Sequence, residues 1–245
     1  MNNIASIGAS AFAVIDVETT GLDPSAHAVV EVACLVIRGG EEIESFSTLV
    51  NPGRPIPAEV SAIHGIRDAD VAGSPTFTQI APKLRALCEN AVVTAHNARF
   101  DLSFLPLLAD RPSLCTMRLA QLLIPQAPNY KNQGLREYLE LSDPRLENAK
   151  AHRALADVIV TSLILKECLR RYHASGGADE IGALIAKLNE PRVLRSFSFG
   201  KHRGQPLEAV PTDYLQWLVK AATSISEDAR LTAKAELERR SAVCG

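Results

Sequence analysis

Five ionisable residues at the edges of apolar segments constrain the fold of this chain more than any other feature of its sequence. Asp16 and Glu18 end one apolar run, Asp101 follows another, and His152 and Asp157 open a helical one. A charge that faces a hydrophobic core without a partner is costly, and like charges at one point are tolerated when cations lie between them. A fold that brings the five side chains together would therefore form a two-metal site of the kind that hydrolyses phosphodiesters.

The length and composition are those of a globular protein. With 245 residues, of which 47% are hydrophobic and 22% charged, the chain can form one large domain and a small appendage. No apolar stretch approaches about 18 residues and residues 1–13 lack a secretory pattern, so we expect no association with a membrane. The five cysteines are odd in number and form no Cys-x-x-Cys pair, which favours free thiols in a reducing cytoplasm.

Charge is distributed unevenly along the chain. The net charge is −2, but residues 1–191 carry 17 Lys and Arg against 22 Asp and Glu, whereas residues 192–245 carry nine against six. An acidic body with a basic accessory segment suits an enzyme that acts on nucleic acid, although an asymmetry of this size is weak support.

The residue pattern predicts an α/β fold, a mixed sheet with helices on both faces. Three apolar, β-branched segments form an antiparallel meander, and later strands alternate with helices. The predicted strands are 12–18, 29–37, 42–50, 91–95 and 114–116. The predicted helices are 57–63, 75–87 (capped by Ser74, with Pro75 first), 101–108, 117–123, 135–139 and 151–172.

The same pattern divides the chain into three parts. Residues 1–174 form the predicted catalytic domain, and Ser-Gly-Gly at 175–177 ends it. Residues 175–191 are a predicted linker with a short helix at 179–188. Residues 192–245 form a small C-terminal module with predicted helices at 214–222 and 229–240.

The candidate site residues lie at the ends of these elements. Asp16 and Glu18 are two apart on a strand, so their side chains leave the same face. Asp101 begins a helix just after a buried strand, where loops of α/β sheets carry function. His152 and Asp157 are five apart, so they converge only if His152 lies on the first, looser helical turn. A histidine with an ordinary pKa near 6.5 suits a general base at neutral pH.

Other polar residues allow two interpretations each. Asn97 either hydrogen-bonds a sugar or base, or caps the following helix. His64 either contributes to a site or is an ordinary residue at a helix C-terminus before Gly65. Lys201 and Arg203 either hold phosphates or belong to a charged, solvated turn.

Four motifs in this order resemble the DEDDh exonucleases, a family of proofreading 3′→5′ exonucleases on a ribonuclease H-like fold. They are Asp-x-Glu-Thr-x-Gly from residue 16, Ile-His-Gly-Ile from residue 63, His-Asn-x-x-Phe-Asp from residue 96 and His-x-x-x-x-Asp from residue 152. The resemblance covers about residues 10–172. It implies a three-stranded antiparallel meander that continues into parallel strands.

The resemblance also implies roles for individual residues. Asp16, Glu18 and Asp157 would bind one divalent ion, Asp16 and Asp101 would bind a second, and His152 would be the general base. The residues expected to hold the 3′-terminal nucleotide are Thr19, Leu22, His64, His96, Asn97 and Phe100. Oxygen ligands favour Mg²⁺ or Mn²⁺ over zinc.

The tail favours DNA as the substrate. Residues 197–204 and 213–218 resemble the C-terminal module of one exodeoxyribonuclease in this family, a module that would contact DNA. We therefore expect release of nucleoside 5′-monophosphates from single- or double-stranded DNA 3′ ends, in DNA repair. The alternatives are an exoribonuclease that trims RNA and a proofreading subunit of a DNA polymerase. An interaction module without catalysis is disfavoured because all five catalytic positions are filled, and the oligomeric state stays open.

Overall fold

The computed structural model describes residues 6–147, 152–197, 199–220 and 225–243. The chain forms two compact units, Met1–Leu188 and Asn189–Gly245. Among the described residues, no helix combines the length and the apolar character needed to cross a bilayer. Cys34, Cys88, Cys115 and Cys168 are free thiols, and Cys244 lies outside the described part.

The first unit is built on a mixed sheet. Its strands are β1 (Ala11–Thr19), β2 (Val29–Arg38), β3 (Glu41–Leu49), β4 (Ala91–Ala95) and β5 (Ser113–Cys115). They lie in the order β3-β2-β1-β4-β5, antiparallel from β1 through β3 and parallel across β1, β4 and β5. This is the predicted mixed sheet, and the strand predictions are correct to within one residue at either end.

Helices cover both faces of the sheet, as predicted. The first unit contains α1 (Ala58–His64), α2 (Asp68–Val71), α3 (Phe77–Leu87), α4 (Arg99–Phe104), α5 (Thr116–Leu123), α6 (Asn132–Tyr138), α7 (Ala154–Ala174) and α8 (Ile181–Asn189). Helices α3 and α4 pack on one face and α5, α6, α7 and α8 on the other. Leu184 and Leu188 of α8 are buried in the core beneath α5, α6 and α7. Most of the segment predicted as a linker therefore belongs to the first unit.

Alternation along β1 decides which face each side chain meets. Ala13 and Ile15 belong to the core under α3 and α4, whereas Phe12 and Val14 belong to the core under α7. Because side chains on a strand alternate between faces, Asp16 and Glu18 leave the sheet on the α7 side. The position of the candidate site therefore follows from strand periodicity.

Helix boundaries differ from the prediction at several elements, including α3, α4, α6 and α7. Helix α3 begins at Phe77, because Thr76 and Gln79 form a reciprocal capping box, and not at Pro75 after Ser74. The predicted helix 101–108 is α4 followed by a 3-10 turn at Pro106–Leu108, since proline removes a backbone donor. Helix α7 begins at Ala154; the predicted first residue, Ala151, lies outside the described residues.

The second unit packs two helices around a small apolar core. It contains a 3-10 turn at Leu207–Ala209, α9 (Thr212–Lys220) and α10 (Glu227–Val243). The core is formed by Phe197, Val210, Leu215, Leu218, Ala229 and Ala233. Ser198 and the end of the predicted helix 214–222 lie outside the described residues.

Candidate metal centre

Two carboxylates of the candidate site stand on β1 at the edge of its buried segment. Asp16 and Glu18 are each partly accessible. Their neighbours Ile15 and Val17 are buried on the opposite face of the sheet. The two acids thus share the face that meets α7, as the spacing predicts.

Asp101 reaches the same region from α4. It lies in the first turn of that helix and is only 2% exposed. Its Oδ1 accepts a hydrogen bond from the backbone N–H of Val17 at 3.2 Å. Because Val17 lies between Asp16 and Glu18 on β1, this bond fixes the Asp101 carboxylate beside that segment of the strand.

Asp157 and His152 complete the cluster from the start of α7. Asp157 Oδ2 accepts a hydrogen bond from the His152 backbone N–H at 3.1 Å, which holds the His152 backbone against the carboxylate. Glu18, His152 and Asp157 each place one potential ligand atom within 4.8 Å of the others. His152 itself is exposed and has a positive φ of 58°, so it precedes the helix instead of lying on its first turn.

Burial and neighbouring acids raise the pKa values of the clustered carboxyl groups. Burial, followed by the charges of Asp101, Asp157, Glu18 and Glu31, raises the pKa of Asp16 well above its usual value. Burial and neighbouring acids raise the pKa of Glu18 to about 8, and burial raises that of Asp101 to about 7. The pKa of Asp157 is also raised, first by burial.

The donor set fits divalent cations. Four carboxylates converge where their ionised forms destabilise one another, and a cation between them would remove that repulsion. Their oxygens are hard ligands of the kind that Mg²⁺ and Mn²⁺ prefer.

Two contacts that sequence spacing did not reveal hold the α7 end of the site. Gln133 on α6 donates from Nε2 to Asp157 Oδ1 at 3.0 Å. Glu31 lies on β2, where it is paired directly with Glu18 of β1, and it is 3% exposed. It accepts hydrogen bonds from the Arg153 guanidinium at 2.9 Å and from the Ala154 backbone N–H at 3.0 Å, and so caps α7 from another strand.

The turn after β1 is fastened by its own side chains. Thr19 is buried and donates from Oγ1 to the Gly21 carbonyl at 2.7 Å. Thr20 Oγ1 accepts from the Ala28 N–H at 3.0 Å and lies 3.2 Å from His27 Nδ1. The turn leaves Leu22 projecting, 83% exposed.

His64 is close to this turn. It is the last residue of α1, before Gly65 in the left-handed conformation, and it is 4% exposed. Nδ1 accepts from the Ile66 N–H at 3.0 Å, whereas Nε2 is buried without a hydrogen-bond partner of ordinary geometry among the described residues. Burial lowers the pKa of His64, and the neighbouring Thr19 backbone acts in the opposite direction.

The residues from the 96–101 motif have different roles in the structure. His96 Nε2 donates to the Tyr130 carbonyl at 2.8 Å and its Nδ1 lies 2.9 Å from Thr116 Oγ1, so both nitrogens are engaged within the protein. Asn97 is exposed with a φ of 66°, and α4 has no side-chain cap, which removes the capping interpretation. Phe100 is half-buried and packs 5.2 Å from the Phe104 ring.

Comparison with known proteins points to one family. The family model for the RNase T exonuclease matches residues 13–165. Exodeoxyribonuclease 10 of Escherichia coli K12 is 34% identical over 230 residues, covering 92% of this chain and 98% of that protein.

Two solved structures share the fold. A structure of exonuclease X in complex with 5′ overhanging duplex DNA has a TM-score of 0.60 and 31% identity, and covers 73% of this chain and 99% of that one. A structure of exonuclease I, at a TM-score of 0.60 and 15% identity, covers 90% of this chain and 61% of that one. These neighbours are ribonuclease H-like exonucleases, as expected for the sheet described above.

Proposed function

Because this chain belongs to the RNase T exonuclease family, we propose that it is a metal-dependent 3′→5′ exodeoxyribonuclease that releases nucleoside 5′-monophosphates from DNA. The observation that carries the proposal is the convergence of Asp16, Glu18, Asp101 and Asp157, which come from β1, α4 and α7. The relative named exodeoxyribonuclease and the solved complex with DNA support DNA over RNA as the substrate.

The four carboxylates would hold two divalent ions, Mg²⁺ or Mn²⁺. When bound, such ions neutralise phosphate charge and acidify a water molecule. Asp157 is held in place for this task by Gln133 and by the His152 backbone, and Asp101 by the Val17 backbone. These hydrogen bonds leave the carboxylates fixed before substrate arrives, so little reorganisation is needed at the reaction.

His152 is the proposed general base. Its exposed ring stands on the loop before α7, with a ligand-type nitrogen within 4.8 Å of Glu18 and Asp157 oxygens. The ring accepts the proton of the attacking water, whose oxygen forms the new bond to phosphorus. The bond from phosphorus to the 3′-oxygen breaks, and that oxygen takes a proton from solvent water to become the 3′-hydroxyl of the shortened strand. The phosphate leaves with the released nucleotide as its 5′-phosphate.

The proposed seat of the 3′-terminal nucleotide is formed by side chains beside the carboxylates. We assign the exposed side chains of Leu22 and Asn97 to contact with a base or sugar. Phe100, Thr19 and His64, which are more buried, are assigned to the same nucleotide site. His96 supports this surface through its bonds to Thr116 and Tyr130.

The proposal is tested by product analysis with 5′-labelled DNA and RNA strands of matched sequence. In Mg²⁺ or Mn²⁺ the wild type should shorten DNA from the 3′ end one nucleotide at a time, and EDTA should stop the reaction. Asp157→Asn should abolish hydrolysis. His152→Ala should lower the rate by about 10²–10⁴ while metal binding, measured by calorimetry, persists.

Asp143→Asn is the matched control for Asp157→Asn, because Asp143 pairs with Arg145 away from the site. It should leave the rate unchanged. Faster degradation of the RNA strand would support the exoribonuclease alternative, and full activity of Asp157→Asn would remove the carboxylate cluster from the mechanism.

A further inference from the structure

Helix α9 of the C-terminal unit carries two aromatic side chains at the edge of its core, and Tyr214 packs partly against that core. Leu215 and Leu218 are fully buried, whereas Tyr214 is half-buried and Trp217 is 49% exposed. Tyr214 and Trp217 are three residues apart, so they are neighbours on the helix surface. Their ring centroids are 5.5 Å apart with an interplanar angle of 32°, which forms a nearly continuous aromatic surface.

The glycine-bounded loop at 200–204 is folded against this surface. Gly200 has a φ of 68°, and a Cβ at that position would overlap the Tyr214 hydroxyl, so the loop lies directly against the ring. The His202 ring meets Tyr214 edge-on at 4.7 Å, and Lys201 Nζ stands 5.4 Å from the Tyr214 ring centroid. We call Lys201, His202, Tyr214 and Trp217 the aromatic platform.

The platform borders an open hollow with a mixed charge. Lys201, Asp213, Tyr214 and Trp217 line a volume of about 330 Å³. Arg203, in the same loop, is exposed and has no ion pair among the described residues. Asp213 accepts a hydrogen bond from the Tyr214 N–H. Because its carboxylate repels phosphate, an anionic backbone would follow Lys201 and Arg203 instead.

The net charge of the C-terminal unit also favours an anionic ligand. Residues 189–245 carry nine Lys and Arg against seven Asp and Glu, whereas residues 1–188 carry 17 against 21. The family match ends at residue 165, so the platform lies outside it.

We propose that the aromatic platform binds single-stranded DNA, with bases stacked on Trp217 and Tyr214 and phosphates held by Lys201 and Arg203. Exposed rings beside cations are the usual means of binding single strands without sequence preference, because every base has a π-face. An exonuclease must accept any sequence, so this inference rests on the proposed function and adds a second contact on the same substrate class.

Trp217 provides the measurement, because it is the only tryptophan in the chain. The full-length protein is titrated in EDTA, which prevents cleavage, with a (dT)12 oligonucleotide while tryptophan fluorescence is followed. Stacking on Trp217 should quench the fluorescence in a saturable manner. Lys201→Ala should weaken this binding. Lys234→Ala is the matched control, because Lys234 is an exposed lysine of α10 outside the platform, and it should leave the binding unchanged.

Anisotropy of a labelled (dT)12 measures the variants that lack the reporter. Trp217→Ala should weaken binding about 5- to 100-fold, the range expected for loss of one stacked base, and Trp217→Phe should retain most of it. Thermal melts confirm that each variant is folded. Binding that is unchanged in folded Trp217→Ala, or an unquenched Trp217 at saturating oligonucleotide, overturns the proposal and leaves the platform as a protein-docking face.

Failure of the two proposals gives different results. If the platform is misassigned, wild type degrades DNA in Mg²⁺ but Trp217 does not respond to the oligonucleotide. If the exonuclease assignment fails, no strand is shortened, whereas quenching by (dT)12 persists and supports a binding unit. Asp16→Ala, which removes only a proposed metal ligand, should hydrolyse nothing and still show full quenching.

Discussion

Glu31 and Arg153 form an ion pair that ties the second strand of the sheet to the loop carrying His152. The Glu31 side chain is 4% exposed and the Arg153 side chain 43%, with Nη2 and Oε1 2.9 Å apart. Glu31 also accepts the backbone N–H of Ala154, 123 residues away in the chain. Arg153 lies directly between His152 and Ala154, the first residue of α7. The ion pair therefore fixes the position of His152 relative to the start of the helix.

We expect Arg153→Met to lower kcat about 10- to 100-fold, the usual effect of removing a residue that orients a metal ligand or its neighbour. KM should change less, because Arg153 is not placed on the nucleotide-binding surface. Arg153→Lys should recover part of the loss, since lysine keeps the charge but not the two-pronged hydrogen bonding. Steady-state kinetics with labelled DNA measures all three effects.

Arg145→Met is the control for this substitution. Arg145 pairs with Asp143 and Glu42 and its side chain is 47% exposed, close to the value for Arg153. Its loss should leave kcat unchanged. If the double variant Glu31→Gln/Arg153→Met regained both stability and full activity, the pair would be structural only.

The metal-free protein should lose stability as pH rises from about 4 to about 8. The pKa of Glu18 is raised to about 8 and that of Asp101 to about 7, so the folded state retains protons that the unfolded state releases over this range. Stability that is present below their ordinary values is therefore lost as pH increases. Glu18→Gln should raise the free energy of unfolding at pH 8 in EDTA by roughly 1–3 kcal/mol, with little effect at pH 4.

Urea denaturation at several pH values measures this dependence. Glu89→Gln, a change at an exposed acid outside the site, should leave the curve unchanged. Saturating Mg²⁺ should abolish the advantage of Glu18→Gln, because a bound cation removes the repulsion between carboxylates. A wild-type curve that is flat in EDTA between pH 4 and pH 8 would show that these acids do not repel one another.

The positions of Asp16 and Glu18 could be predicted because local rules determine them. Strand alternation places both side chains on one face, and the apolar run before them identifies the strand. The mixed sheet follows from the same local patterns. Local sequence patterns fail to locate a helix start where two residues could each be the N-cap. At α3 the N-cap is Thr76 and not Ser74.

The supports of the site depend on contacts between distant segments. Gln133 is 24 residues from Asp157, and Glu31 is 122 from Arg153, so no spacing rule relates them. The placement of His152 before α7 depends on its backbone hydrogen bond to Asp157 and its left-handed conformation, which helical periodicity does not predict. Tertiary structure decides these features.

Gln133→Leu should weaken metal binding about 10- to 100-fold, because Asp157 loses the donor that orients its Oδ1. The amide is held in the required orientation by Arg136, which contacts its Oε1 at 3.4 Å and leaves Nε2 facing Asp157. Calorimetric titration with Mn²⁺ measures the change. Gln126→Leu, at an exposed position, is the control and should bind Mn²⁺ like the wild type.

The turn after β1 should tolerate no side chain at Gly21 while His27 is present. A Cβ at Gly21 would overlap the His27 ring, and that ring cannot move away freely because Nδ1 lies 3.2 Å from Thr20 Oγ1. Gly21→Ala should therefore displace the turn that carries Thr19 and Leu22 and lower kcat/KM about tenfold or more, since small misplacements of substrate are costly. His27→Ala alone should have a smaller effect, and Gly21→Ala/His27→Ala should recover much of the loss because the overlap is gone. If the double variant is no better than Gly21→Ala, the effect of the methyl group lies elsewhere than in its overlap with His27.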